Sequence, residues 1–239
     1  MSKINVTVWN EYTDSQKEKD IADVYPKGLH VTIADFLNKD GEINAKTAVF
    51  SEAEHGLTDA VLDNTDVLLW WGHQIHDKVE DHIAARVVER VQRGMGIIFL
   101  HSAHKSKPFM RLLGTSGSLC WREAHERSRV WTCAPSHPIA KGVPEQFVLD
   151  CEEMYGEPFG IPEPKETVFI SWFQGGNVFR SGVTFQRENG RIFYFQPGHE
   201  TYPAYHNENI QRIITNAVKW AAPIVKTSSL DCPNVQPLE

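Results

Sequence analysis

The sequence predicts an α/β protein with a doubly wound, mostly parallel sheet, helices on both faces and an added antiparallel β region. Strand-like and helix-like segments alternate through residues 4–100, which is the pattern of successive β-α-β units. Residues 66–71 and 96–100 are almost wholly apolar, as in strands that a parallel sheet buries on both faces. Between them, residues 78–93 have the periodicity of an amphipathic helix that stops at Gly94.

The other elements of the first half follow from periodicity and capping. Residues 4–9 alternate between apolar and polar side chains and predict the first strand. Residues 15–24 predict a helix, and residues 28–36 (GLHVTIADF) predict a second strand. Thr58 is placed to cap a short helix over residues 58–62.

Short β segments dominate after residue 105. The predicted elements are a helix over 109–113, strands over 120–123, 130–133, 147–149, 167–173, 178–185 and 191–195, and a helix over 207–221. Asn189-Gly190 between two of the strands is a hairpin signal. We expect these strands to extend the core sheet, so that residues 1–223 form a single domain and residues 224–239 a polar tail.

Composition excludes several classes of function. The net charge is −7 and no basic block stands out, so nucleic acid is not an expected partner. No apolar run reaches the ~18 residues of a membrane span and no signal-peptide core is present, so we expect a cytoplasmic protein without membrane contact. The four cysteines lack CxxC spacing and predict free thiols. No P-loop or GxGxxG is present, so no nucleotide cofactor is expected.

Polar side chains follow the ends of four predicted strands. They are Asn10-Glu11, His73, residues 101–104 and His199-Glu200. The carboxyl ends of parallel strands meet at one sheet edge, so these side chains should converge, with Glu152, Glu153 and Tyr155 joining them from a later strand. His and Glu bind divalent ions such as zinc and also act as general acids and bases. We predict a catalytic set of His101, Glu153, His199 and Glu200, and a metal site at His73, His101 and His199.

Aromatic and charged side chains indicate a sugar as the small-molecule substrate. Trp and Tyr have flat apolar faces that suit stacking on sugar rings, and Arg and Glu suit hydroxyl groups. The predicted substrate-binding residues are Trp71, Trp121, Arg122, Arg180, Tyr202 and Glu11. A structural alternative stays open for each class of residue, because a Trp on a buried strand can fill the core and Arg180 can form a surface ion pair. The aromatic residues would also fit a homo-oligomer.

No GxSxG nucleophile elbow occurs in the sequence. Ser102 beside His101 leaves a serine hydrolase as one hypothesis, although adjacent residues rarely point the same way.

Six segments together resemble the trehalose-utilisation (ThuA-like) family. They are residues 66–73, 121–123, 136–139, 152–158, 168–173 and 197–203. The resemblance runs from about residue 4 to residue 223 and implies the flavodoxin-like fold of class I glutamine amidotransferases. Residues 196–200 (QPGHE) resemble the amidotransferase segment that supplies a catalytic His and Glu. The amidotransferase Cys would fall near His101-Ser102, and its absence argues against glutamine hydrolysis.

The family is associated with trehalose, related disaccharides and their 3-keto derivatives. The resemblance therefore implies an enzyme that acts on such a sugar, as a metal-assisted isomerase, lyase or hydrolase. A keto group acidifies neighbouring C–H bonds, and a His or Glu base could remove such a proton. The alternative is a non-catalytic disaccharide-binding or regulatory protein on an amidotransferase-like scaffold.

Overall fold

The structure is a computed structural model that describes residues 3–239. Within this range the strands are β1 (Ile4–Asn10), β2 (Ile43–Val49), β3 (Val67–Trp71), β4 (Gly96–Leu100), β5 (Cys120–Thr132), β6 (Gln146–Gly156), β7 (Glu166–Phe173), β8 (Val178–Arg187) and β9 (Gly190–Phe195). The α-helices are α1 (Lys19–Ala22), α2 (Leu29–Leu37), α3 (Asp59–Asp63), α4 (Asp81–Gln92), α5 (Lys107–Leu113) and α6 (Glu208–Ala221). Short 3₁₀ turns, such as His76–Lys78 and His101–Lys105, connect several of these elements.

All the strands belong to one sheet in the order β2-β1-β3-β4-β9-β8-β7-β5-β6. The first five of these pair in parallel, and their order is that of the flavodoxin-like doubly wound fold. Helices α2 and α6 pack with one apolar cluster on one face, and α3, α4 and α5 pack with a second cluster on the other. The predicted α/β class with helices on both faces is confirmed.

The antiparallel region extends the same sheet. Strands β8, β7, β5 and β6 continue from β9 with antiparallel pairing, as expected for an addition to the core. The hairpin predicted at Asn189-Gly190 joins β8 to β9, where Arg187 pairs with Gly190. The two short strands predicted over residues 120–133 are one long strand, β5, with shifts in its pairing register between Arg122, Glu126 and Ser128.

Two predictions for the first half are wrong. Residues 28–36 do not form a strand, because α2 occupies Leu29–Leu37. Leu29, Ile33 and Leu37 are spaced four residues apart and form a buried stripe, a helical pattern that the β-branched residues concealed. The second strand is instead β2, an edge strand with few large apolar side chains. The helix expected over residues 15–24 is reduced to a 3₁₀ turn and the four-residue α1.

The segment after α6 has no helix or strand through Glu239. It lies against the amino-terminal edge of the sheet, where the Thr227 amide donates to the Arg93 carbonyl and Lys226 pairs with Asp66. The division into a domain over 1–223 and a tail stays a prediction. Cys120, Cys133, Cys151 and Cys232 are free, as expected. Over residues 3–239, no helix is long and apolar enough to cross a membrane.

Gly96 provides a test of how closely α6 packs on the sheet. A Cβ at Gly96, where β4 begins, would overlap the carbonyl group of Ala221 at the end of α6. We expect Gly96→Ala to lower the free energy of unfolding by about 1–3 kcal/mol, as overpacking does in well-packed interiors. Urea unfolding measures this change. Gly41→Ala is the matched control, because nothing lies within 4 Å of its Cβ position. Equal stability of the two variants would contradict this packing.

Candidate functional site

The carboxyl edge of the parallel strands brings together the predicted His and Glu residues. His73 follows β3, His101 follows β4, and His199-Glu200 follows β9. Strand β6 runs antiparallel to β5 and delivers Glu153 to the same place. All five side chains lie in one cluster, and all except His73 are buried.

The distances within the cluster define two overlapping groups. His73 Nδ1 lies 2.9 Å from Glu200 Oε1, and His101 Nε2 lies 2.9 Å from Glu153 Oε2. His199 stands between the pairs, with its ring centroid 5.5 Å from that of His73 and 5.3 Å from that of His101. His73, His199 and Glu200 form one group whose ligand atoms lie within 4.8 Å of one another, and His101, Glu153 and His199 form the other.

The hydrogen bonds behind the histidines fit a divalent metal. His101 Nδ1 donates to the Gln196 carbonyl at 2.9 Å, so in the neutral ring Nε2 carries the free lone pair. His199 Nδ1 accepts the Thr201 backbone N–H at 3.3 Å and lies 2.8 Å from Thr201 Oγ1, and His73 Nδ1 faces Glu200. Metal-binding histidines are commonly held as His101 is, through a donor bond from the ring nitrogen that does not bind the ion.

Two buried carboxylate oxygens add to this fit. Glu153 Oε2 and Glu200 Oε2 have no hydrogen-bond partner. The first is close to His101 Nε2 but lies outside hydrogen-bond geometry, so the contact is an ion pair of poor alignment. Unpartnered buried charge is costly, and a cation would offset that cost. Imidazole nitrogens and carboxylate oxygens are a donor set that zinc and similar ions accept.

Charge pairing sets the protonation of the cluster without a metal. Burial alone would lower the pKa of His101, but the Glu153 carboxylate raises that pKa to about 9. Burial likewise opposes a charge on His73, and Glu200 outweighs it and raises the pKa of His73. Burial would raise the pKa of Glu200, yet His73 holds it down at about 2. His101 and Glu153 therefore form an imidazolium–carboxylate pair, and Glu200 favours the charged form of His73.

His199 differs from the other two histidines. Burial, together with the positive charge of His101, lowers the pKa of His199 to about 4. Its ring is therefore neutral near pH 7 and can act as a ligand or as a base. Burial would raise the pKa of Glu153, but His101 outweighs burial and lowers that pKa, so this carboxyl stays ionised.

Glu152 was expected to join the cluster together with Glu153, but the sequence assigned it no role. Its carboxylate accepts the backbone N–H groups of Gly198 (3.0 Å), His199 (3.3 Å) and Glu153 (3.0 Å), and so holds the loop that carries His199. Burial raises the pKa of Glu152 to about 7, against the opposing charge of His101. The signal in the sequence was the adjacent acidic pair Glu152-Glu153 on an otherwise apolar strand end.

Glu11 and Trp71 lie behind the cluster and not at a surface that a ligand can reach. Glu11 is 2% exposed and accepts the N–H groups of Gln74 (2.9 Å) and Ile75 (3.2 Å), which fixes the turn after His73. Trp71 is fully buried and donates through Nε1 to the Gly198 carbonyl at 3.0 Å. Their predicted contact with substrate is therefore corrected to a supporting position.

The two arginines predicted to bind substrate have other partners. Arg180 makes a two-pronged pair with Glu157 at 2.8 and 2.9 Å, which is the ion-pair alternative stated for it. Arg122 pairs with Glu126 at 2.6 Å. Tyr202 remains near the cluster, with its ring 5.3 Å from His199, and its hydroxyl lies 3.0 Å from His125 Nδ1.

A cavity of about 260 Å³ opens beside the cluster. It is lined by His73, His76, Ser102, His104, Lys105, Leu119, Trp121, Glu153 and Tyr155. His76 and His104 are neutral, because burial lowers their pKa values to about 4 and about 3. A larger depression of about 600 Å³ lies around Trp220, far from the His and Glu residues of the cluster. The smaller cavity is the one that chemistry would use.

The turn after β4 carries the least favourable backbone of the site. His101 has φ 53°, in the left-handed region that residues other than glycine rarely adopt. A strained strand-to-helix turn is also where some hydrolases hold their nucleophile. His101 occupies that position here, and Ser102 donates its hydroxyl to the Gly72 carbonyl at 3.0 Å. His101 is engaged by Gln196 and Glu153, and the hydroxyl of Ser102 is hydrogen-bonded to backbone and not to a histidine.

The chain has an α/β fold similar to that of glutamine amidotransferase-like proteins, with His101-Ser102 and no cysteine at the turn after β4. The chain belongs to the ThuA family, described as trehalose utilisation, whose family model matches residues 5–221. No curated protein matches the chain.

Solved structures share the fold at low sequence identity. A ThuA-like protein from Parabacteroides merdae is 15% identical, with 96% of this chain and 93% of that one covered and a TM-score of 0.71. A ThuA-like protein from Bacteroides uniformis is 16% identical, with 92% and 91% covered and a TM-score of 0.65. A GMP synthase protein from Thermoplasma acidophilum is 12% identical, with 92% and 94% covered and a TM-score of 0.56. The family and the amidotransferase-like fold expected from the sequence are confirmed.

The raised pKa of Glu152 makes a prediction about stability and pH. The folded protein retains a proton on Glu152 up to a pKa of about 7, whereas an ordinary Glu releases it near 4.5. The stability that the protonated Glu152 contributes to the fold is present at low pH and is lost as the pH rises through 7. Relative to Glu152→Gln, which cannot ionise, the wild type should lose about 1–3 kcal/mol of stability between pH 5 and pH 8.

Urea unfolding of both proteins across this pH range measures the difference. Glu145→Gln, at an exposed position, serves as the control and should follow the wild type at every pH. A constant difference between Glu152→Gln and the wild type would contradict a proton on Glu152.

Proposed function

We propose that this ThuA-family protein is an enzyme that acts on a trehalose-like disaccharide or its 3-keto derivative, using its His and Glu cluster for proton transfer together with a divalent metal. One observation carries the proposal: two overlapping groups of His and Glu ligands meet beside a cavity at the carboxyl edge of the sheet. The family's description as trehalose utilisation supports the substrate class.

The residues that would hold the ion are His73, His199 and Glu200, or His101, Glu153 and His199. A bound divalent ion would supply a Lewis acid that polarises a carbonyl oxygen. Zinc is the ion to test first, since its usual ligands in proteins are the side chains present here.

The chain's own residues would handle the protons. Glu153 lines the cavity as a carboxylate and can accept a proton from a carbon next to a keto group. With the ion held by His73, His199 and Glu200, His101 would stay protonated beside Glu153 and keep it ionised until that proton arrives. Isomerisation, or elimination of a sugar across the glycosidic bond, would follow from such a step. Glutamine hydrolysis is not part of the proposal, because the turn after β4 carries His101-Ser102 and no cysteine.

A homo-oligomer in the cytoplasm remains part of the proposal. Trp131, Trp172 and Val178 are exposed large apolar side chains on the antiparallel region. Trp172 pairs directly with Val178 on the neighbouring strand, so part of this apolar surface is continuous. Sedimentation velocity at several protein concentrations tests this association.

Replacing the proposed base should abolish turnover while the fold persists. Glu153→Gln keeps the shape of the side chain but cannot accept a proton as a carboxylate does, and we expect activity on 3-keto-trehalose to fall about 10²–10⁴-fold. Product analysis by NMR measures this loss. Glu166→Gln, at an exposed position of β7, is the matched control and should retain full activity.

Two outcomes would contradict the proposal that this protein is an enzyme. One is full activity of Glu153→Gln. The other is thermal stabilisation by disaccharides with no turnover, unchanged in His199→Ala, which would favour the non-catalytic binding protein. Removal of metal by a chelator gives a further check, since full activity of the metal-free protein would overturn the metal part of the proposal.

Metal binding should release protons at neutral pH. His101 is protonated in the metal-free protein at pH 7, because its pKa is about 9, and it must lose that proton to offer Nε2 to an ion. The apparent affinity for zinc should therefore rise with pH between 7 and 9. Calorimetric titrations in two buffers of different ionisation enthalpy count the protons. Binding without proton release would mean that neither His101 nor His73 is a ligand.

A further inference from the structure

The cavity beside the cluster is small for a whole disaccharide. Its volume is about 260 Å³, below the ~300–1,000 Å³ of sites that enclose drug-sized ligands. Two of its lining residues, His73 and Glu153, belong to the His and Glu cluster, so whatever fills the cavity meets the proposed chemistry.

The walls of the cavity suit a neutral ligand rich in hydroxyl groups. Its charged groups are Glu153, which is paired with His101, His73, which is paired with Glu200, and the exposed Lys105, so no unpaired charge is buried in its wall. His104 Nδ1 donates to the Gly117 carbonyl at 2.6 Å, which leaves Nε2 as a hydrogen-bond acceptor. His76 and Ser102 add further polar atoms to the lining. Sugar hydroxyls both donate and accept hydrogen bonds, and this wall offers both.

Strand pairing places Trp121 at the mouth of the cavity. Trp121 on β5 is directly opposite Tyr155 on β6, so the two side chains share one face of the sheet. Tyr155 is buried and stacks on His101, with ring centroids 5.0 Å apart. Trp121 continues the same row outward and is 65% exposed, although it lines the cavity. A large indole is therefore open to solvent beside a ring-sized space.

We propose that the cavity binds a single pyranose ring of a neutral glycoside and that Trp121 holds the rest of the glycoside outside it. The protein then recognises one glycosyl unit, and the group attached to that unit can vary. This inference rests on the proposed function for the identity of the reacting ring as a glucosyl or 3-keto-glucosyl unit. It extends the substrate class from disaccharides to glycosides with small attached groups.

Binding of two probes tests the inference. The probes are methyl 3-keto-α-glucoside, which has one ring, and 3-keto-trehalose, which has two. Their Kd values are measured calorimetrically on the metal-free Glu153→Gln protein, in which turnover is blocked, and turnover is measured separately on the wild type. We expect both probes to bind. Adding Trp121→Ala should raise the Kd of 3-keto-trehalose by about tenfold, the scale of one aromatic contact. The Kd of the methyl glycoside should stay almost unchanged.

Two further variants separate the cavity from its mouth. His104→Asn retains an amide N–H for the Gly117 carbonyl but loses the acceptor at Nε2. It should therefore raise the Kd values of both probes by a similar factor. Trp131→Ala removes an exposed indole farther along the same strand and should change neither Kd.

The inference is overturned if the methyl glycoside fails to bind while the disaccharide binds, if Trp121→Ala weakens both probes equally, or if neither probe binds. Failure of the proposed function has a different result: both probes bind as expected, and the wild-type protein consumes neither of them.

Discussion

Ionisable side chains that are buried away from water need charged or hydrogen-bonding partners, and this requirement determines the arrangement of residues at the carboxyl edge of the sheet. His101 with Glu153 and His73 with Glu200 form charge pairs, and His199 stays neutral between them. The pairing is incomplete, because one buried oxygen of each carboxylate has no hydrogen-bond partner. A bound cation would give these two oxygens a partner, which is the physical basis for proposing one at this place.

The cluster depends on carboxylates that hold backbone. Glu152 accepts three N–H groups around the His199 loop, and Glu11 accepts two N–H groups in the turn after His73. Trp71 ties the same loop through the Gly198 carbonyl. These contacts orient the two histidines through their backbone, and a buried carboxylate is the acceptor that can satisfy several N–H groups at once. Acidic residues near the site therefore divide into those that face the cavity and those that position the loops.

The turn after β4 relates the chain to glutamine amidotransferases and separates it from them. The backbone keeps a strained residue there, but that residue is His101 and its ring is held by Gln196 and Glu153. Ser102 is turned toward Gly72. The strained position at this turn is thus occupied by an imidazole in contact with a carboxylate.

The sequence by itself determined the parallel core and the members of the cluster, because buried strands such as β3 and β4 are continuous apolar runs and polar residues directly after them must lie at one edge. It did not determine α2, since Leu29, Ile33 and Leu37 fit a helix while their β-branched neighbours favour a strand. Tertiary structure alone decided that Glu11 and Trp71 turn inward, that Arg180 is taken by Glu157, and that Trp121 stands beside Tyr155. Strand register and the partners of each charge set these outcomes, and both depend on residues far apart in the chain.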